Sequence, residues 1–385
     1  MKRVLLLIKG LGRGGAEQLL ASAAPYYDRD RFAYEAAYLL PGKDGLVGEL
    51  RAAGVPVHCL HGARGMGWVA RLRKLVRDHD IDLVHVHSPY AAIGARLGLA
   101  TPNGPRIVYT EHAPWDYYKR PTYWGNLLTF NQNDHVFAVS EYVRAAIRMP
   151  PALRSLPMPP TETLYHGLDP AAVHTWGSPE GVREELGIPD GAPIVGTVAN
   201  FRPQKRYDLL LRAAARVLQA VPDTRFVLVG QGPLEPQARR LALELGLEGS
   251  VIFAGYRDDA PRVAKTFDVF VLASGYEGLS IALIEAMVLA RPSVVTRVGG
   301  VSEVVEHRRN ALVADPDDAR SLAACITTLL LDGALAARLG AAAQERAADF
   351  QIPNAVRRQE QVYTELLEHT RARGEGPRAQ IRHDQ

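Results

Sequence analysis

The sequence predicts an α/β protein made of two Rossmann-like domains, and three observations carry that reading. The chain has 385 residues, more than one hydrophobic core usually organises, so two domains are expected. Short apolar runs alternate with stretches of helical spacing along most of it, the order that yields parallel sheets covered by helices. A strand, a glycine turn and a helix open the chain, and the pattern returns around Gly230-Gln231-Gly232. Hydrophobic residues make up 47% and charged residues 23%, the balance of a globular chain and not of a disordered one.

The first strand covers residues 4–8. Its basic start and apolar run mimic a signal peptide, but the run ends at Lys9 after five residues, too short for a leader's apolar region. Glycines at 10, 12 and 15 follow, and then Gly14-Gly15-Ala16-Glu17 leads into helix-forming Gln18, Leu19 and Leu20. Gly-x-Gly-x-x-Gly raises a dinucleotide-binding dehydrogenase as a competing reading. That reading wants a carboxylate closing the second strand. The candidate, residues 32–40, instead carries Glu35 in its middle and runs out as Leu39-Leu40-Pro41-Gly42.

The alternation continues with strands at 55–60, 83–87 and 106–110 and helices at 68–78 and 91–99. Ligands of such sheets bind beyond the carboxyl ends of strands, where His85, His87 and His112 fall. His85 and His87, two apart, share a strand face. A triple-histidine metal site would need a third ligand that the sequence does not place, and an ordinary polar role at a strand end competes for each. Trp115, Tyr117, Tyr118, Lys119, Arg120, Tyr123 and Trp124 come next. They read either as a segment packed by its own aromatics or as a ligand-facing wall, since aromatic faces pack against sugar rings or apolar aglycones. A strand at 136–139 follows, and the prolines crowded into 149–160 mark a loop.

In the second half a strand at 194–198 runs into Asn200-Phe201-Arg202-Pro203-Gln204-Lys205. Strands at 225–229 and 251–254 follow, the latter leading to Gly255-Tyr256-Arg257. The run 268–272 is broken by Ser274-Gly275, and Ile281, Ile284, Met287 and Val288 then fall at helical spacing behind Ser280, a preferred N-cap residue. Glu277 therefore lies on a loop and Glu285 on the helix. A helix start offers unpaired N–H groups and a positive dipole end, which suit a phosphate. A carboxylate on each side of such an anion site suits a phosphorylated sugar. Strands at 293–296 and 311–313, helices to 349 and an amphipathic stretch at 356–367 complete the chain before a polar tail, 371–385, expected to be disordered.

Together these segments resemble the retaining glycosyltransferases of family 4, two-domain enzymes of the GT-B type that use nucleotide sugars. Glu277 and Glu285 match the Glu-x7-Glu motif, Gly14-Gly15-Ala16-Glu17 the Gly-Gly-x-Glu turn, and Arg202 and Lys205 the basic pair that holds the donor diphosphate. Thr110-Glu111-His112 resembles the active-site histidine segment. Leu164-Tyr165-His166-Gly167-Leu168-Asp169 resembles the interdomain crossover, with His166 where the family has Asn.

The resemblance implies an acceptor-side domain at 1–165 facing a nucleotide-sugar domain at 166–350 across a cleft, and a helix at 351–370 crossing back to the first. It assigns catalysis to Glu277, His112, Arg202 and Lys205. Donor binding falls to Gly14, Gly15, Arg202, Lys205, Gly278, Leu279, Ser280 and Glu285, with Glu277 on the donor sugar, Glu285 on the ribose hydroxyls and Arg257 near the nucleobase. Trp115, Tyr117 and Tyr118 are the acceptor-side candidates. The implied reaction moves a sugar from a nucleoside diphosphate, UDP favoured and GDP as the alternative, to a hydroxyl acceptor with an α-linkage. The product would belong to glycan, glycolipid or glycosylated-metabolite synthesis. No cofactor and no metal are expected, because the nucleotide sugar is a substrate and the Asp-x-Asp strings at 28–30, 78–80 and 80–82 sit beside helix ends. A nucleotide-sugar epimerase of the same fold and a non-catalytic nucleotide-sugar-binding partner are the rival readings.

Cys59 and Cys325 are the only cysteines, as expected of a reduced, cytoplasmic protein. No apolar segment approaches the ~20 residues that span a bilayer, so any membrane contact is expected to be peripheral, on the inner face. Up to residue 165, Lys plus Arg outnumber Asp plus Glu by 20 to 14, against 25 to 28 in the remainder. The excess charge thus favours an acidic partner for the first domain. Arg64, Arg71, Arg73, Lys74 and Arg77 surround Trp68 on a helix whose Val69, Leu72, Leu75 and Val76 form one stripe. That basic face is either a solvated surface or a contact with anionic lipid that would present a lipid-linked acceptor. A nucleic-acid partner is not expected.

Overall fold

The computed structural model describes residues 1–61, 65–153, 156–169 and 175–374, with the side chains of residues 152 and 369–374 outside the description. The chain forms two compact units: Met1–Val139, Val143–Leu164 and Ile352–Gln385 make the first, and Ser140–Tyr142 and Tyr165–Gln351 the second.

The first unit carries a seven-stranded sheet in the order β3-β2-β1-β4-β5-β6-β7. Its strands are β1 Lys2–Ile8, β2 Phe32–Tyr38, β3 Val57–Cys59, β4 Leu83–Val86, β5 Arg106–Glu111, β6 His135–Ala138 and β7 Thr161–Thr163. Every pairing is parallel. Strand residues alternate between faces, and both faces of this sheet are buried. Val4, Leu6 and Ile8 join one apolar layer, to which the helix Ile352–Gly374 contributes Val356, Val362 and Tyr363. Leu5 and Leu7 join the other, with Leu72 and Leu75 of the helix Trp68–Asp78 and Ala91, Ala92 and Ala95 of the helix Pro89–Leu99.

The second unit holds a six-stranded sheet in the order β10-β9-β8-β11-β12-β13. Its strands are β8 Ile194–Val198, β9 Arg225–Val229, β10 Val251–Gly255, β11 Val269–Leu272, β12 Ser293–Thr296 and β13 Leu312–Ala314, again all parallel. Val195 and Val271 face a layer shared with the helices Tyr207–Ala220 and Ala319–Leu331. Ile194, Phe270 and Leu272 face the opposite layer, shared with Ile281–Val288 and Gly333–Ala347.

Two local expectations change. The proline-rich loop leads straight into β7, which pairs with β6 from Val136↔Thr161 to Ala138↔Thr163. Threonine-rich and half-exposed, this edge strand lacks the apolar run by which a strand announces itself. The final helix extends to Gly374, past residue 371 where the tail was expected to begin, and the rest of that tail lies outside the described residues. On Trp68–Asp78 the stripe residues Leu72, Leu75 and Val76 are buried and Val69 is half-buried, while Arg71, Arg73, Lys74 and Arg77 are exposed, as in the solvated-surface reading. Arg73 Nε donates to Gly98 O at 2.7 Å and Lys74 pairs with Asp78, while Arg64 lies outside the described residues. Among the described residues no single helix is long and apolar enough to cross a membrane.

Candidate functional site

In each sheet the strand order reverses beside the first strand of that unit, between β1 and β4 and between β8 and β11. The connections leaving neighbouring strands there diverge to opposite faces, which opens a crevice beyond their carboxyl ends. In the second unit the loops leaving β8 and β11 carry Arg202, Lys205 and Glu277, and Glu285 follows on the helix.

The β8 loop is anchored before it presents its cations. Phe201 is buried and stacks on Tyr207 with ring centroids 3.9 Å apart, while its N–H donates to Gln231 O at 3.1 Å. Gly232 permits that approach, since a Cβ there would lie 2.6 Å from Phe201 O. Arg202 then stands exposed at the entry of the 3-10 turn Pro203–Lys205. The turn brings the Lys205 ammonium inward.

The β11 loop meets it. Gly275 N–H donates to Gln204 O at 2.7 Å, and Tyr276 Oη donates to Gln204 Oε1 at 3.1 Å. Glu277 is buried, with 6% of its surface exposed, and its Oε1 accepts from Lys205 Nζ at 2.5 Å and from Ser274 Oγ at 2.5 Å. A buried carboxylate needs such partners to remain charged. Ser280 caps the next helix by accepting from Leu283 N–H at 3.4 Å, and buried Gly278 and half-buried Leu279 complete the approach to it. Glu285 sits on the second turn of Ile281–Val288, and burial of its carboxyl pushes its pKa up to about 7.

Sequence reasoning did not single out three supports of this site. Ser274 and Gln204 tie the loops together, and Gly299-Gly300 underlies them. A Cβ at Gly299 would lie 2.3 Å from Glu277 O, and one at Gly300 would lie 1.9 Å from Gly278 O. The visible signal was a glycine pair just after a buried strand. Arg257 is drawn into a cluster of its own, with Nε donating to Asp259 at 2.6 Å and Nη2 to Glu185 at 2.8 Å.

In the first unit Gly14 is the N-cap residue of the helix Gly15–Ala23. A Cβ at Gly14 would lie 2.4 Å from the Glu17 carboxylate, whereas one at Gly15 would meet nothing within 4 Å, so the backbone is bare at Gly15. His85 within β4, His87 just past it and His112 just past β5 form a row, with centroids 4.1 Å apart for His85 and His87 and 5.7 Å for His87 and His112. Buried His85 is engaged through both nitrogens, Nε2 lying 2.7 Å from Thr110 Oγ1 and Nδ1 contacting Tyr363 Oη. This is a structural hydrogen-bonding role inside the strand, close to the ordinary polar reading but one residue short of the strand's end. His112 is half-buried, its Nε2 3.4 Å from His87 Nδ1.

The acceptor wall needs correction. Trp115 is only 2% exposed and donates from Nε1 to Glu111 at 2.8 Å, so it is a core residue that satisfies a buried carboxylate. Tyr118 also donates to Glu111, whose pKa is raised by burial. Tyr117, 47% exposed, retains an accessible ring. Only position in the tertiary structure separates these neighbours. His166, in the crossover, is buried, and desolvation lowers its pKa to about 4.

Two family profiles match the chain: one described as glycosyltransferase family 4 over residues 3–172, the other as glycosyl transferases group 1 over residues 180–346. A GDP-mannose-dependent alpha-(1-6)-phosphatidylinositol monomannoside mannosyltransferase of Mycolicibacterium smegmatis is 30% identical over 303 residues, covering 73% of this chain and 75% of that one. The N-acetyl-alpha-D-glucosaminyl L-malate synthase of Bacillus anthracis is 27% identical, covering 77% and 78%. A crystal structure of Anabaena HepE in complex with UDP and glucose superposes with a TM-score of 0.82 at 23% identity, covering 95% of this chain and all of that one.

Proposed function

Because the chain belongs to the group 1, family 4 glycosyltransferases and has their two-domain GT-B fold, we propose that it transfers a sugar from a nucleoside diphosphate sugar to a hydroxyl with retention, giving an α-linked product, without a metal. The observation that carries this is the junction of the β8 and β11 loops, where Lys205 and Ser274 converge on Glu277 beside exposed Arg202 and the Ser280-capped helix. When the bond from the anomeric carbon to the phosphate oxygen breaks, negative charge grows on the departing diphosphate and positive charge on the sugar. Arg202, Lys205 and the helix start are assigned to the first charge. Lys205 carries three donors, so it can hold Glu277 and a phosphate oxygen together. Glu277 is assigned to the sugar and Glu285 to the ribose hydroxyls. By resemblance, the Gly14-Gly15 turn serves the diphosphate and His112 the sugar.

UDP is the preferred nucleotide, supported by the UDP complex of the Anabaena protein, and the GDP-mannose-dependent relative supports GDP as the second candidate. That relative is named for a lipid acceptor. With the exposed Arg71, Arg73, Lys74 and Arg77 of Trp68–Asp78, it supports a lipid-linked acceptor reached at an anionic membrane surface.

The test is turnover of a nucleotide-sugar panel with and without hydroxyl acceptors, with NMR of the product. Acceptor-dependent release of nucleoside diphosphate, an α-linked product and insensitivity to chelator are expected. Interconversion of nucleotide-sugar epimers would establish the rival enzyme, and binding without turnover the non-catalytic partner. Cosedimentation with anionic vesicles at low but not high salt tests the membrane assignment, since ~0.1 M salt screens exposed charges beyond about 10 Å.

A further inference from the structure

Away from the β8 and β11 loops, one group of side chains in the first unit converges without any role in sugar transfer. Glu35, His58 and His79 bring one potential ligand atom each within 4.8 Å of one another. Glu35 stands in the middle of β2, and His58, on β3, pairs in register with Ala37, which places both side chains on the same sheet face. His79 is the C-cap residue of Trp68–Asp78. His58 Nε2 lies 2.7 Å and His79 Nδ1 lies 2.8 Å from Glu35 Oε2. The two rings stand edge to face at 84°, centroids 5.1 Å apart, so neither blocks the other's approach to the carboxylate.

We propose that Glu35, His58 and His79 form a binding site for a divalent transition-metal ion of the zinc class. Two imidazoles and a carboxylate are a donor set that such ions prefer, and water completes a tetrahedral shell. Metal–ligand bonds of ~2.0–2.2 Å place neighbouring donor atoms roughly 3.3 Å apart. The contacts seen at 2.7 and 2.8 Å therefore have to open by only about half an ångström to admit an ion. Access exists, since the histidine side chains are 27% and 36% exposed, while Glu35, at 11%, supplies the rigid member.

The site has a structural use. β3 is the sheet's edge and only three residues long, and the ion would fasten it to β2 and to the end of the neighbouring helix. A hydrogen-bonded trio with no metal is the competing account. In that account His58 and His79 exist only to satisfy the buried Glu35 carboxylate.

The experiment uses the full chain freed of metal by chelator and then titrated with Co²⁺ and Zn²⁺. One equivalent of Co²⁺ should give the visible absorption of tetrahedral cobalt, bleached by Zn²⁺, and Zn²⁺ at about 100-fold excess over Kd should raise Tm by roughly 5–10 °C. His58→Gln and His79→Gln should each weaken Co²⁺ binding at least about 100-fold, and Cys59→Ser should leave it unchanged. His79, at the helix end, is the variant to rely on if His58→Gln fails to fold. Absence of the cobalt spectrum in the parent chain at millimolar metal, or its persistence in both histidine variants, overturns the proposal.

Discussion

Lys205 and Glu277 hold one another at 2.5 Å, and the consequence of losing each cation of the site follows from burial. Arg202 is exposed, so Arg202→Ala should lower kcat/KM by ~100-fold, the usual loss for one donor to developing charge, with an unchanged melting temperature. Lys205→Ala should cost a similar factor and in addition destabilise the fold by ~3 kcal/mol, because it strands a buried carboxylate. Steady-state rates and thermal melts of the two variants separate these effects, and near wild-type rates in both would remove the assignment. Glu285 follows a different logic. Burial raises its pKa from 4.5 to about 7, so the folded chain holds an extra proton between those values. Its contribution to stability is complete below about pH 4.5 and is lost as pH rises through 7. Glu285→Gln should therefore stabilise the protein at pH 8, by about 1–3 kcal/mol, while weakening the free nucleoside diphosphate. Calorimetry and melts against pH check both signs, and unchanged nucleotide affinity would remove the ribose assignment of Glu285.

Elements place these residues through backbone contacts more than through side chains. The Glu277–Gly278 segment rests on Gly299-Gly300, where the Cβ of any other residue would collide with main-chain oxygens at 2.3 and 1.9 Å. Backbone cannot rotate aside as a side chain can, so Gly300→Ala should displace the loop carrying Glu277. A shift of about 1 Å in reacting geometry costs ~100-fold in rate. The expected outcome is a severe loss of kcat with the far-UV spectrum retained, and full activity in Gly300→Ala would show that the loop is free to relax. The strand–turn–helix order that brings these parts together was legible in the chain: 194–198, 225–229 and 293–296 were read with the bounds observed. β7 was not, because its Thr-Glu-Thr pattern is half-exposed and carries no apolar signal.

At the scale of the whole molecule, the last helix binds the fate of the C-terminus to the first unit. Tyr363 is 1% exposed, packs edge-on against Phe32 at 5.9 Å and contacts His85. Tyr363→Ala should cost ~3–5 kcal/mol, as large buried aromatics do. That loss belongs to the first unit, whereas Arg202, Lys205 and Glu285 belong to the second. Calorimetric unfolding of the variant should show an early transition whose products still bind nucleoside diphosphate. A single transition at the wild-type temperature would contradict it.

Local order along the chain was enough to read the two parallel α/β units, the placement of Glu277 on a loop and Glu285 on the following helix, and the position of Arg202 and Lys205 at a strand's carboxyl end. Those readings depend on periodicity and turn chemistry, which act over a few neighbouring residues and are written in their order. The tertiary structure alone decided which side chains meet. Lys205 and Glu277 are 72 residues apart, and their pairing depends on β8 and β11 being neighbours in the sheet, an order that no local pattern encodes. Trp115 and Tyr117 are both aromatic and two positions apart, yet one is in the core and the other in solvent. Composition could not separate them, because burial is a property of what packs around a residue and only the folded chain supplies those neighbours.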